Sequence, residues 1–146
     1  MHVGRIQVFR SRCHCGNLEA RFETQQQAEE LTVRSCQCSF CTRHRARTVV
    51  DPQGLARIAV HDPELLSRYQ WATRSAEFLV CRRCGNYLGA VMGVGDGWVM
   101  TLNINLFDEV ARFAQEPIKV DYDAETPAER RRRRETGWTP AVWERV

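Results

Sequence analysis

Seven cysteines, at positions 13, 15, 36, 38, 41, 81 and 84, fall into three tight groups: Cys13-His14-Cys15-Gly16, Cys36-Gln37-Cys38-Ser39-Phe40-Cys41 and Cys81-Arg82-Arg83-Cys84-Gly85. This grouping constrains the fold more than any other feature of the chain, because the thiols must converge on something or stay reactive. An odd number cannot pair completely within one chain. Cys13 and Cys15 are also too close in sequence for an unstrained bridge. Clustered thiols without an oxidising context read as metal ligands or catalytic groups rather than as disulfides.

The first and third groups each put two thiols on a tight turn closed by glycine, which supplies the positive φ such turns demand. Backbone N–H groups on a turn of this kind point at the sulfurs and offset their charge. Cys13, Cys15, Cys81 and Cys84 are therefore expected to form a closed, tetrahedral four-thiolate site of the structural zinc type. Binding there would contribute on the order of 10 kcal/mol to folding. Zinc is preferred over iron because the rest of the chain shows no redox feature.

Cys36, Cys38 and Cys41 then have no fourth cysteine to join them. Three protein ligands leave an open position on zinc, the catalytic arrangement, and that position takes water or a substrate thiol. Two other readings stand beside this one. His44 is spaced to close a site of three cysteines and one histidine, or the trio stays metal-free as reactive thiols. Arg43, His44 and Arg45, with Arg47, are candidate partners for the carboxylates of a peptide thiol, the alternative being a basic loop with no ligand. His14 is expected to face solvent, and His2 and His61 to lie at the surface.

At 146 residues, with 43% hydrophobic and 27% charged residues, the chain is expected to form one domain over 1–146. No apolar run reaches the roughly 18–20 residues of a membrane span, and no secretory signal is visible, so a cytoplasmic location is expected. The net charge is +3, and of 21 basic residues only Lys119 is a lysine. The five arginines at 130–134 invite a nucleic-acid reading. Glu129 and Arg133, and Arg131 and Glu135, are however spaced for ion pairs along a helix, and Asp121, Asp123 and Glu125 precede the run. A solvated helix is the expectation, and nucleic acid is not an expected partner.

Period-two alternation predicts strands at 5–12, 18–23, 32–35, 48–50, 55–60 and 77–80. Residues 86–92 and 98–106 read as a hairpin around the glycine-rich 93–97. Residues 25–30 read as a turn or one helical turn, and 63–71 are ambiguous between helical turn and strand. Residues 107–115 read as a short helix stopped by Pro117, and Thr126-Pro127-Ala128-Glu129 as a capping box opening a charged helix that Gly137 ends. Trp138 and Trp143 are expected to anchor the tail. The sum is a mainly β fold with short helices toward the C-terminus.

The ordered set Cys-x-Cys-Gly, Cys-x-Cys-x-x-Cys and Cys-x-x-Cys-Gly resembles the glutathione-dependent formaldehyde-activating enzyme family, which also includes centromere protein V. The resemblance spans about residues 10–107, with a C-terminal helical tail at about 108–146. It implies a β-tent of antiparallel sheets around a structural zinc on Cys13, Cys15, Cys81 and Cys84. It also implies a second, catalytic zinc on Cys36, Cys38 and Cys41. The implied activity is a carbon–sulfur lyase reaction adding glutathione, or a similar small thiol, to formaldehyde or another small aldehyde. The alternatives are a glutathione carrier, or a zinc-stabilised binding module for a protein or nucleic acid. Methionine sulfoxide reduction, on a related fold, lacks a spare redox cysteine once all seven are assigned.

Overall fold

The computed structural model describes residues 5–145, and burial alternates along the strands at 7–12, 18–24, 55–60 and 139–144. In β2 (Leu18–Thr24) the buried residues Leu18, Ala20, Phe22 and Thr24 share one face, and β1 (Gln7–Arg12) pairs with it antiparallel as a hairpin. A single 3-10 turn follows at Ala28–Glu30. Next come β3 (Arg34–Cys36), α1 (Ser39–His44), β4 (Thr48–Val49) and β5 (Leu55–Val60). A 3-10 turn at Pro63–Leu65 leads into β6 (Leu66–Tyr69), so the ambiguous 63–71 stretch holds both a helical turn and a strand. The chain continues through β7 (Glu77–Cys81), β8 (Tyr87–Val94), β9 (Gly97–Asn103), β10 (Ile118–Val120), α2 (Pro127–Gly137) and β11 (Thr139–Glu144).

The strands join in one mixed sheet ordered β1-β2-β5-β11-β9-β4-β3-β10, with β8, β7 and β6 branching from the other edge of β9. On the shared edge, β11 pairs with residues 98–100 of β9 and β4 pairs with 102–103. Buried polar groups close the seam between these two strands. The Asp51 N–H donates to Thr139 Oγ1 (2.9 Å), and the Thr24 hydroxyl donates to Asp51 Oδ2 (2.5 Å). The larger core holds Phe9, Phe22, Phe107 and Phe113, with Phe107 stacked on Phe9 at 6.0 Å and Phe113 edge-on to it at 5.3 Å. A second, smaller core gathers Cys41, Ala46, Ala76, Phe78, Tyr87 and Ala90 beneath the cysteine trio.

Four expectations change. Residues 107–115 contain only a 3-10 turn at Val110–Arg112. Phe107 and Phe113 would point about 120° apart on an α-helix at 100° per residue, and the broken path turns both into the same core. The expected antiparallel sheets are one mixed sheet, because β10 runs parallel to β3 and β11 parallel to β5. The tail ends in a strand rather than a helix. Thr139 and Ala141 are buried between β5 and β9, and Pro140, which donates no ladder hydrogen bond, hides that strand from a propensity reading. The strand expected at 32–35 lies at Arg34–Cys36, beginning two residues later and ending one later.

Candidate metal centre

Both glycine-closed turns are hairpin tips. Cys13 and Cys15 lie in the β1–β2 connection, and Cys81 and Cys84 begin the β7–β8 connection. Each turn closes the same way: Gly16 N–H donates to Cys13 O (3.0 Å) and Gly85 N–H donates to Cys81 O (2.9 Å). Gly16 and Gly85 have φ of 84° and 81°, a conformation costly for any side chain although a Cβ at either would meet open space. Backbone N–H groups reach the sulfurs, from Leu18 to Cys13 Sγ at 3.2 Å and from Cys84 to Cys81 Sγ at 3.5 Å. Asn86 ties the tips together by accepting from the His14 N–H at 2.6 Å.

The four sulfurs lie within 4.8 Å of one another. Cys13 and Cys15 are 3.7 Å apart and Cys15 and Cys81 3.5 Å apart. Zinc–sulfur bonds of about 2.3 Å give a tetrahedron with edges of about 3.8 Å, so the donor set fits such an ion. Burial pushes the Cys13 thiol up to about 12, only partly offset by the Leu18 N–H. Burial also works against ionisation of Cys84, yet N–H donors from Asn86 and Cys15 bring it down to about 6. Such split thiols in one cluster are what a shared cation resolves.

The trio sits where β3 meets α1. Cys36 ends the strand, Cys38 caps the helix, its sulfur accepting from the Cys41 N–H at 3.3 Å, and Cys41 lies buried one turn in. The three sulfurs are also within 4.8 Å of one another, and among the described residues no histidine or carboxylate joins either group. Hydrogen bonds from the Cys36 and Cys41 thiols pull Cys38 down to about 2. Its charge in turn pushes Cys36 up, and Cys36 and Cys38 push Cys41 further up. The three sulfurs thus ionise unequally while lying close together, a donor set suited to a cation.

A cavity of about 210 Å³ opens over the trio, walled by Trp71, Phe78, Tyr87 and Trp138, with Arg34, Arg130, Arg133 and Arg134 also in its lining. Burial, and then the charges of Cys41, Cys38 and Cys36, hold the Tyr87 hydroxyl far above the usual phenol range, so it keeps its proton. Arg130 and Arg133 are both paired with Glu125, Arg133 at 2.8 and 3.0 Å.

Arg43, His44 and Arg45 lie off this cavity. The Arg43 guanidinium donates to Ser39 O, and Arg45 is the left-handed C-cap of α1, its carbonyl accepting from Asn105. His44 stacks on Phe40 at 4.4 Å and faces a separate hollow with His14 and Asn86. His14 and His61 are exposed, His61 beside Glu19, and His2 lies outside the described residues. The arginine run, read from sequence as a solvated face, supplies three of the cavity's arginines. Their spacing of i, i+3, i+4 was the available signal, since it puts 130, 133 and 134 on one helix face.

Fold and sites together define a mainly β protein with a closed four-thiol group and an open three-thiol group, both able to hold metal. Residues 8–122 match the family described as glutathione-dependent formaldehyde-activating enzyme, and the chain belongs to that family. It is also similar to a Rhodobacter sphaeroides protein of known crystal structure, at 28% identity and a TM-score of 0.57, over 76% of this chain and 99% of that one. The family match takes in all seven cysteines and stops before α2 and β11.

Proposed function

We propose that the protein adds a small thiol, with glutathione the first candidate, to formaldehyde or a similar small aldehyde, with zinc at both cysteine groups. Cys13, Cys15, Cys81 and Cys84 hold the structural ion, and Cys36, Cys38 and Cys41 hold the catalytic one. The observation that carries this reading is a three-sulfur group that no fourth ligand joins among the described residues, lining a cavity. A zinc ion there would supply a Lewis-acid position that keeps an added thiol deprotonated near neutral pH.

The chain's own residues do the rest. Aromatic walls from Trp71, Phe78 and Trp138 limit water around the reacting sulfur. The thiol sulfur forms a bond to the carbonyl carbon, and the carbonyl π pair moves to oxygen. That oxygen takes up the proton the thiol gave up, so nothing is oxidised or reduced. Tyr87 holds a proton at its hydroxyl oxygen beside the sulfurs, a donor for the oxygen as its charge develops. Keeping seven thiols reduced suits the cytoplasm.

Exchange spectroscopy of the hemithioacetal tests the proposal. The protein is expected to speed exchange between free and adducted glutathione, and Cys38→Ser to abolish the acceleration. Equal rates with and without protein would overturn catalysis and leave a carrier.

A further inference from the structure

The cavity beside the trio is far larger than a small carbonyl needs. Formaldehyde has two heavy atoms and fills the space of one or two waters, at about 30 Å³ each. The cavity holds about 210 Å³. An apolar cavity of about 150 Å³ is already enough to take benzene. Most of the wall is apolar, and Trp71, Phe78 and Trp138 supply its rings. Trp71 and Trp138 are half-buried and Phe78 keeps 8% exposure, so each still offers surface to a ligand. The Trp71 and Phe78 rings form a corner, 5.6 Å apart and inclined at 48°.

Three of the four arginines in the lining direct their heads to protein groups. Arg130 donates to Tyr122 O at 3.0 Å, Arg133 pairs with Glu125, and Arg134 donates to Ser75 Oγ at 2.9 Å. Gly137 leaves room between them and the aromatic rings. It ends α2, lines the cavity, and is half-buried, and a Cβ added to it would meet nothing within 4 Å. Neither usual reason for a glycine applies, since its φ is not positive and no neighbour approaches closely. The helix itself would be better served by almost any other residue.

We infer that Trp71, Phe78, Gly137 and Trp138 form an apolar subsite for the carbonyl partner, so that the aldehyde accepted beside the trio carries an apolar group of about phenyl size. The carbonyl chemistry rests on the function proposed above; the subsite rests on the cavity and its walls alone. The bonds made and broken are those of the small aldehyde. The thiol sulfur bonds to the carbonyl carbon, the π pair moves to oxygen, and that oxygen takes the proton the thiol released. The apolar group contributes by leaving water, and burying a phenyl group strengthens binding roughly tenfold to a hundredfold. Gly137 and Trp138 lie beyond the span matched by the family, so the preference belongs to this chain's own C-terminal segment.

The test pairs a binding measurement with a rate ratio on the metal-loaded protein. The unreactive 2-phenylethanol is expected to move the Trp71 and Trp138 indole resonances saturably, with saturating glutathione present as without it. Hemithioacetal exchange of phenylacetaldehyde should be accelerated about tenfold more than that of formaldehyde. Gly137→Leu, which puts a side chain into the open space, should lower both 2-phenylethanol affinity and that ratio about tenfold, and Gly137→Ala less. Either substitution favours the helix, so a melt no lower than the parent's accompanies the loss. Resonances that do not move, or 2-phenylethanol displaced by glutathione, overturn the subsite. So does a Gly137→Leu protein that matches the parent in both measurements. Acceleration of formaldehyde alone overturns the subsite and leaves the function standing. If neither aldehyde is accelerated while 2-phenylethanol binds beside glutathione and Gly137→Leu weakens it, the reaction is overturned and the apolar subsite is supported. Should Gly137→Leu fold poorly, Gly137→Ala decides.

Discussion

Cys81→Ser and Cys41→Ser each remove one buried sulfur, 1% and 6% exposed, yet the two are expected to behave differently. Cys81 belongs to the group that clamps the β1–β2 tip to the β7–β8 tip, across 66 residues from Cys15. With zinc held there as proposed, a hydroxyl would forfeit a ligand of a site worth on the order of 10 kcal/mol, comparable to the whole stability of a domain. Little folded protein is expected by circular dichroism. Cys41 serves one local unit, β3 with α1, so Cys41→Ser should keep a cooperative melt while bound metal falls from two ions to about one per chain. Metal analysis beside the melts checks both, and identical behaviour would refute the division of roles. These sulfurs were legible in the sequence because short spacings and glycines are local signals. The cavity's arginines were not, since nothing local says which face of a charged helix meets a pocket.

Helix α2 shows where element-scale reading succeeds and where it stops. Its capping box is present, with the Glu129 N–H donating to Thr126 Oγ1 at 3.1 Å and the Thr126 N–H to Glu129 Oε1 at 2.9 Å. Thr126→Ala should cost about 1 kcal/mol, read from chemical denaturation. α1 escaped the sequence reading because its cap is the thiol of Cys38, a residue that carries no helix-start signal. Glu125, just ahead of the helix cap, folds back onto α2 by pairing with Arg133 and Arg130, and the Arg133 hydrogen bonds hold its carboxyl below the usual 4.5. A folded pKa below the unfolded one gives stability that is present above the unfolded value and lost as pH falls through the folded one. Glu125→Gln removes that charge at every pH. It should lower stability at neutral pH by about 1–2 kcal/mol, roughly 3–6 °C in Tm. The gap between the two proteins should close as pH drops below 4.5. A gap constant with pH would show that Glu125 acts through packing alone.

At the scale of the whole molecule, the family-matched span and the folding unit differ. Residues 8–122 carry every cysteine, but the sheet they build is interrupted where β11 lies between β5 and β9. β11 pairs with β5 through Ala141 to Glu144 and with β9 through Thr139 to Ala141. Thr139, fully buried, also satisfies the Asp51 N–H at the seam with β4. Removing residues 123–146 would bare the facing edges of two interior strands, uncover the Ile58 and Met100 region of the core, and orphan Asp51. Unpaired strand edges beside exposed core are templates for aggregation. A chain ending at residue 122 is therefore expected to be insoluble or molten even with zinc supplied, although it keeps all seven cysteines. The milder Asp51→Ala keeps the backbone N–H that serves Thr139 but leaves the buried Thr24 hydroxyl and the Gln53 N–H short of an acceptor, and should cost about 1–3 kcal/mol in a cooperative melt. If the shortened chain instead folds and binds two zinc ions with an unchanged Tm, β11 is an accessory and the arginine-bearing helix before it is dispensable to the architecture. The opposite result makes that helix part of the fold, held by covalent continuity to a central strand, and explains how a pocket wall outside the matched span can be as rigid as the sheet it closes.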